Sequence, residues 1–278
     1  MSEKTITLSG ATLDYRDVGS GPAVVFVHGV YITGAVWDDV VDRLSSTHRC
    51  IVPTWPLGAH AHEMPAGTDL SVAATARRVP ELLEALDLRD VTIVANDSGG
   101  GITLTSLATG HPGLSRIGAL VLTNCDSFDH FPPPSFKPMV KLCRLSGSIG
   151  TGLMRFFASG AGKKLFFKQV CSTQPSDERI DAILGAFRTS ARSRRDAVQV
   201  TASMKPSLTL DAVPALEALE APVHVVWGDA DKVFPKGDGE RIAKTARNGT
   251  YVPVPGSGTY VMVDAPDALA QAIRAATS

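Results

Sequence analysis

The 278-residue sequence predicts an α/β fold: a mostly parallel eight-stranded sheet with helices on both faces and a helical insert past its middle. Three observations carry that reading. Short β-branched runs alternate with helical stretches over the first 125 residues. The next stretch, to about residue 211, is helical in pattern without a convincing strand. The strand–helix rhythm then returns at Pro222.

Lys4–Leu8 and Thr12–Val18 alternate like strands around Ser9-Gly10 and predict an antiparallel hairpin. Ala23–Val27 is continuously apolar, as a strand covered on both faces must be. A helix near 35–45, a strand at Cys50–Val52 and a helix over about Ser71–Leu86 follow. Pro80 is expected to bend that last helix or to mark its start. Val91–Ala95, a Gly-rich turn, a helix over Ile102–Ala108 and a strand at Ile117–Leu122 continue the order, and Phe131-Pro132-Pro133-Pro134 breaks it. Beyond the insert come a strand at Pro222–Trp227, a helix near Gly237–Ala246, a strand at Thr250–Val254 and a last helix over Pro266–Ala276. The expected division is a core of 1–127 with 213–278 and a cap of 128–212, placed to control substrate access.

Composition narrows the function. With 27 basic against 28 acidic residues the formal charge is −1, which excludes a wholesale nucleic-acid partner. Apolar runs are too short to span a bilayer, so no membrane partner is expected. The first five residues lack a secretion-signal layout, and Cys50, Cys125, Cys143 and Cys171 are scattered, so a cytoplasmic protein with reduced thiols is expected. No metal-ligand spacing or organic-cofactor motif is present, and cofactor-free chemistry on a small molecule is expected. Residues 131–212 hold 13 Lys/Arg and 5 Asp/Glu, while the rest holds 14 and 23. Opposite signs favour docking of the two parts and draw an anionic substrate under the cap, although solvated helix faces account as well for Lys163-Lys164 and Arg192–Arg195. A homodimer is one open alternative for the chain's assembly.

The sharpest local signal is Val91-Thr92-Ile93-Val94-Ala95-Asn96-Asp97-Ser98-Gly99-Gly100. A buried strand runs into a turn with small residues two before and two and three after Asp97, then into a helix. Such neighbours let a strained residue project its side chain above the sheet. Moving the register to Ser98 would put Asn96 where a small residue is needed, and the spacing of a full phosphate-binding glycine loop is absent. Three further segments fit this turn: Phe26-Val27-His28-Gly29-Val30, Trp227-Gly228-Asp229-Ala230-Asp231-Lys232-Val233-Phe234-Pro235, and Val254-Pro255-Gly256-Ser257-Gly258-Thr259-Tyr260. Asp126 closes the strand ending in Asn124-Cys125, at the sheet edge where open α/β sheets bind ligands.

In this order the four segments resemble the α/β-hydrolase superfamily over nearly the whole chain, and most of all its aspartate-nucleophile branch of haloalkane dehalogenases and epoxide hydrolases. The resemblance implies Asp97 as nucleophile, backbone amides of Val30 and Ser98 as oxyanion donors, and Asp231 or Asp126 as the acid. It makes His28 more structural than catalytic. It also puts Thr259 where the branch carries its histidine, and a threonine cannot take up a proton at neutral pH. An alkyl ester formed on Asp97 would then lack the base that activates water. His60, His62 and His130 lie in loops expected to leave the same sheet edge, and Tyr31 is the phenol expected nearest the pocket. The halide-holding Trp and Asn of dehalogenases are replaced by Ser98 and Val30, and the cap has no tyrosine for an epoxide oxygen. Three readings follow: a hydrolase of a small, partly apolar ester, epoxide or halide; a lyase, isomerase or cyclase in which Asp97 moves a proton; or a binding protein on an enzyme fold.

Overall fold

Residues 3–277 are described by a computed structural model, whose sheet runs in the order β1-β2-β4-β3-β5-β6-β7-β8. Strands β1 (Lys4–Leu8) and β2 (Ala11–Val18) form the predicted antiparallel hairpin, with Ser9 and Gly10 both at positive φ as a tight two-residue turn requires. β2 also pairs antiparallel with β4 (Arg49–Pro53); every other pairing is parallel. The parallel strands are β3 (Ala23–Val27), β5 (Val91–Asp97), β6 (Ile117–Cys125), β7 (Val223–Gly228) and β8 (Gly249–Val254), joined to β4 through β3. β3, β5 and β6 are almost wholly buried, as continuous apolar runs between helical layers should be.

Helices α1 (Asp38–Leu44), α2 (Val72–Ala85) and α3 (Ser98–Leu107) fall between the first six strands. Ser71 caps α2 by accepting from the Ala74 N–H, so the helix starts there and continues through Pro80; the proline does not mark its beginning. Between β6 and β7 there are only helices: α4 (Lys137–Leu145), α5 (Gly147–Phe157), α6 (Gly160–Val170), α7 (Asp177–Leu184), α8 (Ala186–Thr189), α9 (Ala191–Ser203), α10 (Ser207–Leu210) and α11 (Val213–Ala218). After β7 come α12 (Lys236–Thr245), α13 (Val261–Asp264) and α14 (Pro266–Ala276). Among the described residues no helix is long and apolar enough to cross a membrane.

The helical insert is tied to the sheet by charge and by backbone. Arg179 of α7 reaches Asp38 at 2.8 Å and Asp39 at 3.0 Å, at the start of α1. The Thr33 N–H donates to the Ile183 carbonyl at 2.8 Å. Arg192 lies 3.4 Å from Glu63. The basic side of each of these ion pairs comes from the insert and the acidic side from the sheet layer, matching the charge split visible in the sequence.

Candidate active site

β5 does not end regularly. Its register against β6 shifts between Ala95 and Asp97, so that Asp97 pairs with Cys125. A bulge at a strand end re-aims the next side chain. Asp97 then adopts φ 56, ψ −135, a conformation unfavourable for any residue with a Cβ, before α3 begins at Ser98. Crowding holds the bend in place. A Cβ on Gly99 would stand 2.2 Å from the Val27 carbonyl oxygen, and a Cβ on Gly29 would stand 2.1 Å from Asp97 Oδ2. The Asp97 carboxylate therefore lies directly over Gly29, in space that only a missing side chain leaves free.

Asp97 and Ser98 form the floor of a cavity of about 250 Å³. Its walls are Pro133, Phe136, Phe157, Leu165, Phe166, Val170, Met204 and Val233, with Ser135, Gln169 and Lys232 as polar additions. Most of this lining belongs to the helical insert and the loop leading into it. The volume falls just below the roughly 300–1,000 Å³ of sites for drug-sized ligands. The space suits a small, mainly apolar molecule.

Burial pushes the Asp97 carboxyl up to about 7, and the charge of Asp231 adds to the rise, while the Ser98 N–H beside it works the other way. Asp126 is fully buried, and neither of its oxygens finds a hydrogen-bond partner. Burial first, and then the nearby Asp97 charge, hold it well above the usual carboxylate range; the Ser98 hydroxyl opposes this without completing a hydrogen bond. The two carboxyls titrate as a pair, and burial favours the protonated form of each.

Asp231 is solvated by the protein itself. Its Oδ1 accepts from the Thr259 hydroxyl at 2.6 Å and from the Val233 N–H at 2.8 Å, and Oδ2 accepts from Asn124 Nδ2 at 2.8 Å. Its carboxyl is nevertheless raised by burial. The Asn124 side chain also pairs both ways with the Gly228 backbone, at 2.7 and 3.0 Å. Asn96 Nδ2 donates towards Thr123, the Asn124 carbonyl and the Thr259 carbonyl. Asn96 thus points into the sheet-edge network. Replacing Thr259 by valine keeps the volume but removes a donor from a buried carboxylate. A loss of about 1–3 kcal/mol is expected, larger at pH 8 than at pH 5 because the charged form loses most; thermal melts at the two pH values check this.

The histidines lie elsewhere. His28 Nδ1–H donates to the Gly29 carbonyl at 2.8 Å and its Nε2 accepts from the Trp55 N–H at 2.9 Å, so it braces the loop under Asp97. Burial lowers its pKa to about 4. His60 and His130, expected at the pocket, are both outside the cavity lining. His60 is turned to Asp196 at 3.2 Å, and His130 sits between Asp238 at 2.7 Å and Asp129 at 3.6 Å. His62 meets Asp14 at 2.6 Å. Each imidazole follows the carboxylate its own loop meets. Tyr31 is also off the cavity wall: its hydroxyl is hydrogen-bonded to that of Thr201 and its ring stacks on Phe187. The Val30 amide makes no hydrogen bond among the described residues.

Three groups near the site escaped the sequence reading. Lys232 sits beside Asp231 in the segment already singled out, so its position was the available signal. Gln169 had none. Tyr260 follows Thr259, is fully buried, packs edge-on to Phe166 and Phe167, and leaves its hydroxyl unpartnered. Burial and the Asp97 charge raise its pKa well above the ordinary phenol value. Among the described residues no three metal-ligating side chains converge.

Known proteins of this architecture are similar over almost the whole chain. Haloalkane dehalogenase 2 of Mycobacterium tuberculosis is 25% identical over 280 aligned positions, covering 95% of this chain and 91% of that protein. The cis-3-alkyl-4-alkyloxetan-2-one decarboxylase of Shewanella oneidensis is 28% identical, covering 83% and 74%. An alpha/beta hydrolase fold protein from Burkholderia ambifaria superposes with a TM-score of 0.84 at 23% identity, covering 97% of this chain and 96% of that one. A haloalkane dehalogenase from Bradyrhizobium elkani superposes with 0.79 at 16%, covering 99% and 96%; at these identities the structural likeness is one of fold. Residues 24–272 match the profile of the alpha/beta hydrolase family, and the chain belongs to that family.

Proposed function

We propose that the protein is an enzyme in which Asp97 moves a proton on a small, largely apolar substrate held beneath a cap formed by residues 128–212, with no cofactor taking part. A single observation carries this: the carboxylate at the strained bend is enclosed with other carboxyls and meets no imidazole, while Asp231 spends its oxygens on Thr259, Asn124 and Val233. A general base works best when its pKa is near the working pH, and enclosure brings Asp97 there. The amides of Val30 and Ser98 are the donors for an oxygen that gains charge as the proton leaves. Asp126, whose protonated form burial favours, would keep a second negative charge off the site.

A second reading is favoured by the bend itself. φ 56 at Asp97 throws the carboxylate out as a nucleophile, the arrangement that attacks a carbon–halogen or epoxide carbon. With no base to activate water, the resulting ester would persist.

The two readings separate in one set of incubations. Small ketones in deuterium oxide are expected to lose their α-hydrogens to exchange, monitored by NMR, and Asp97→Asn is expected to stop this. Alkyl bromides and epoxides are expected to leave the intact mass unchanged. A lasting mass increase that maps to Asp97, without exchange, overturns the proton-transfer reading in favour of the nucleophile. Neither exchange nor adduct leaves a binding protein.

A further inference from the structure

The outer face of α4–α6 has a composition of its own. From residue 130 to residue 176 the chain carries seven Lys/Arg and no Asp or Glu. Lys163 is buried against Asp181, Lys164 stands 3.6 Å from Asp177, and Arg144 is hydrogen-bonded to the Ala202 and Met204 carbonyls. Lys137, Lys141, Arg155 and Lys168 are exposed and make no ion pair among the described residues.

The same segment exposes apolar bulk. Six large hydrophobic side chains are exposed among the described residues, and four are here: Leu145 at 73%, Ile149 at 45%, Phe156 at 48% and Leu165 at 50%. Ile149 and Phe156 are seven apart on α5 and so share one face, turned away from Gly150 and Met154, which pack inward. α5 packs against both α4 and α6, which places Leu145 and Leu165 on either side of it. Leu165 also lines the cavity, with Phe157 and Phe166 behind it. Apolar surface therefore continues from the outside of the insert into the site.

We propose that this face docks on the surface of an anionic lipid bilayer, with Leu145, Ile149, Phe156 and Leu165 entering the headgroup region and the four free cations facing lipid phosphates. Large apolar side chains flanked by an excess of cations, with Asp177 beside Lys164 at one edge, meet the two requirements of interfacial binding. A second copy of the chain fits worse: a two-fold contact would bring this cationic face against itself. The sequence excludes a membrane partner only through its lack of a spanning segment, which a peripheral contact does not need. The inference stands apart from the chemistry at Asp97.

Flotation of the full chain with phosphatidylcholine vesicles, with and without 30% phosphatidylglycerol, tests it. Binding is expected only with phosphatidylglycerol and is expected to weaken with salt. Ile149→Ser with Phe156→Ser keeps every charge and is expected to weaken it at least about tenfold. Lys141→Gln and Lys168→Gln are each expected to weaken it about fivefold. All four side chains are exposed, and unchanged thermal melts verify folding. No flotation with anionic vesicles, or flotation unchanged in these variants, overturns the proposal. So does a dimer in size-exclusion chromatography that the serine pair dissolves while vesicles are ignored, which would make the face a self-association site.

Discussion

Asp97→Asn is expected to destroy the chemistry and, at pH 8, to make the protein more stable. The activity measured in the incubations above should fall roughly 10²–10⁴-fold, the usual contribution of a positioned base. The stability effect follows from linkage. The carboxyl is raised from 3.8 to about 7 by enclosure and by a neighbouring carboxylate. Folding therefore favours its protonated form: the stability tied to that proton is complete below about pH 4 and is lost as pH rises through 7. A tenfold change in proton affinity is worth about 1.4 kcal/mol, so wild-type protein at pH 8 bears a penalty on the order of a few kcal/mol that asparagine does not. Thermal melts should place the variant several degrees above wild type at pH 8, with the difference closing towards pH 4. Equal melting curves at pH 8 would mean that the carboxylate is well solvated, and the proton-transfer reading would lose its basis.

Gly99→Ala is expected to produce the largest loss of stability. The added Cβ would lie 2.2 Å from the Val27 carbonyl oxygen and 2.7 Å from the His28 carbonyl oxygen, so backbone meets backbone and no side chain can swing away. β3 and the first turn of α3 would have to separate, and the His28 brace and the Asp97 bend would shift with them. A loss of at least about 3 kcal/mol is expected, read as a lower urea midpoint or as failure to accumulate soluble protein. Gly152→Ala, on the exposed side of α5 with no atom within 4 Å of its Cβ, is the matched control. It should gain about 0.5–1 kcal/mol from helix propensity alone.

The fold was legible because its signals are local and repeated. Ala23–Val27 and Pro266–Ala276 are read from the sequence with their observed boundaries, since an apolar run between two covering layers and a proline at a first helical turn are decided by the residues themselves. The position of Asp97 was legible for the same reason: small residues are needed wherever backbone segments nearly touch. The rest of the site was not. Whether His60 turns to the cavity or to Asp196 depends on a carboxylate 136 positions away, and His130 meets Asp238 across 108. No spacing rule covers such pairs. The cavity wall had the same problem. Phe157 and Phe166 reach it while Phe156 and Phe167 face solvent and core, a choice set by how α5 and α6 pack and not by the paired phenylalanines themselves.

The lacing of Asn96, Asn124, Gly228, Asp231 and Thr259 bears on how such a molecule can move. These bonds join the ends of β5, β6 and β7 and the segment after β8 into one crosslinked edge of buried and partly buried bonds. Deforming any one strand end would break several bonds at once. On the proposed function, shape changes that admit a ligand are expected in the helices overhead, hinging against this stiffer platform.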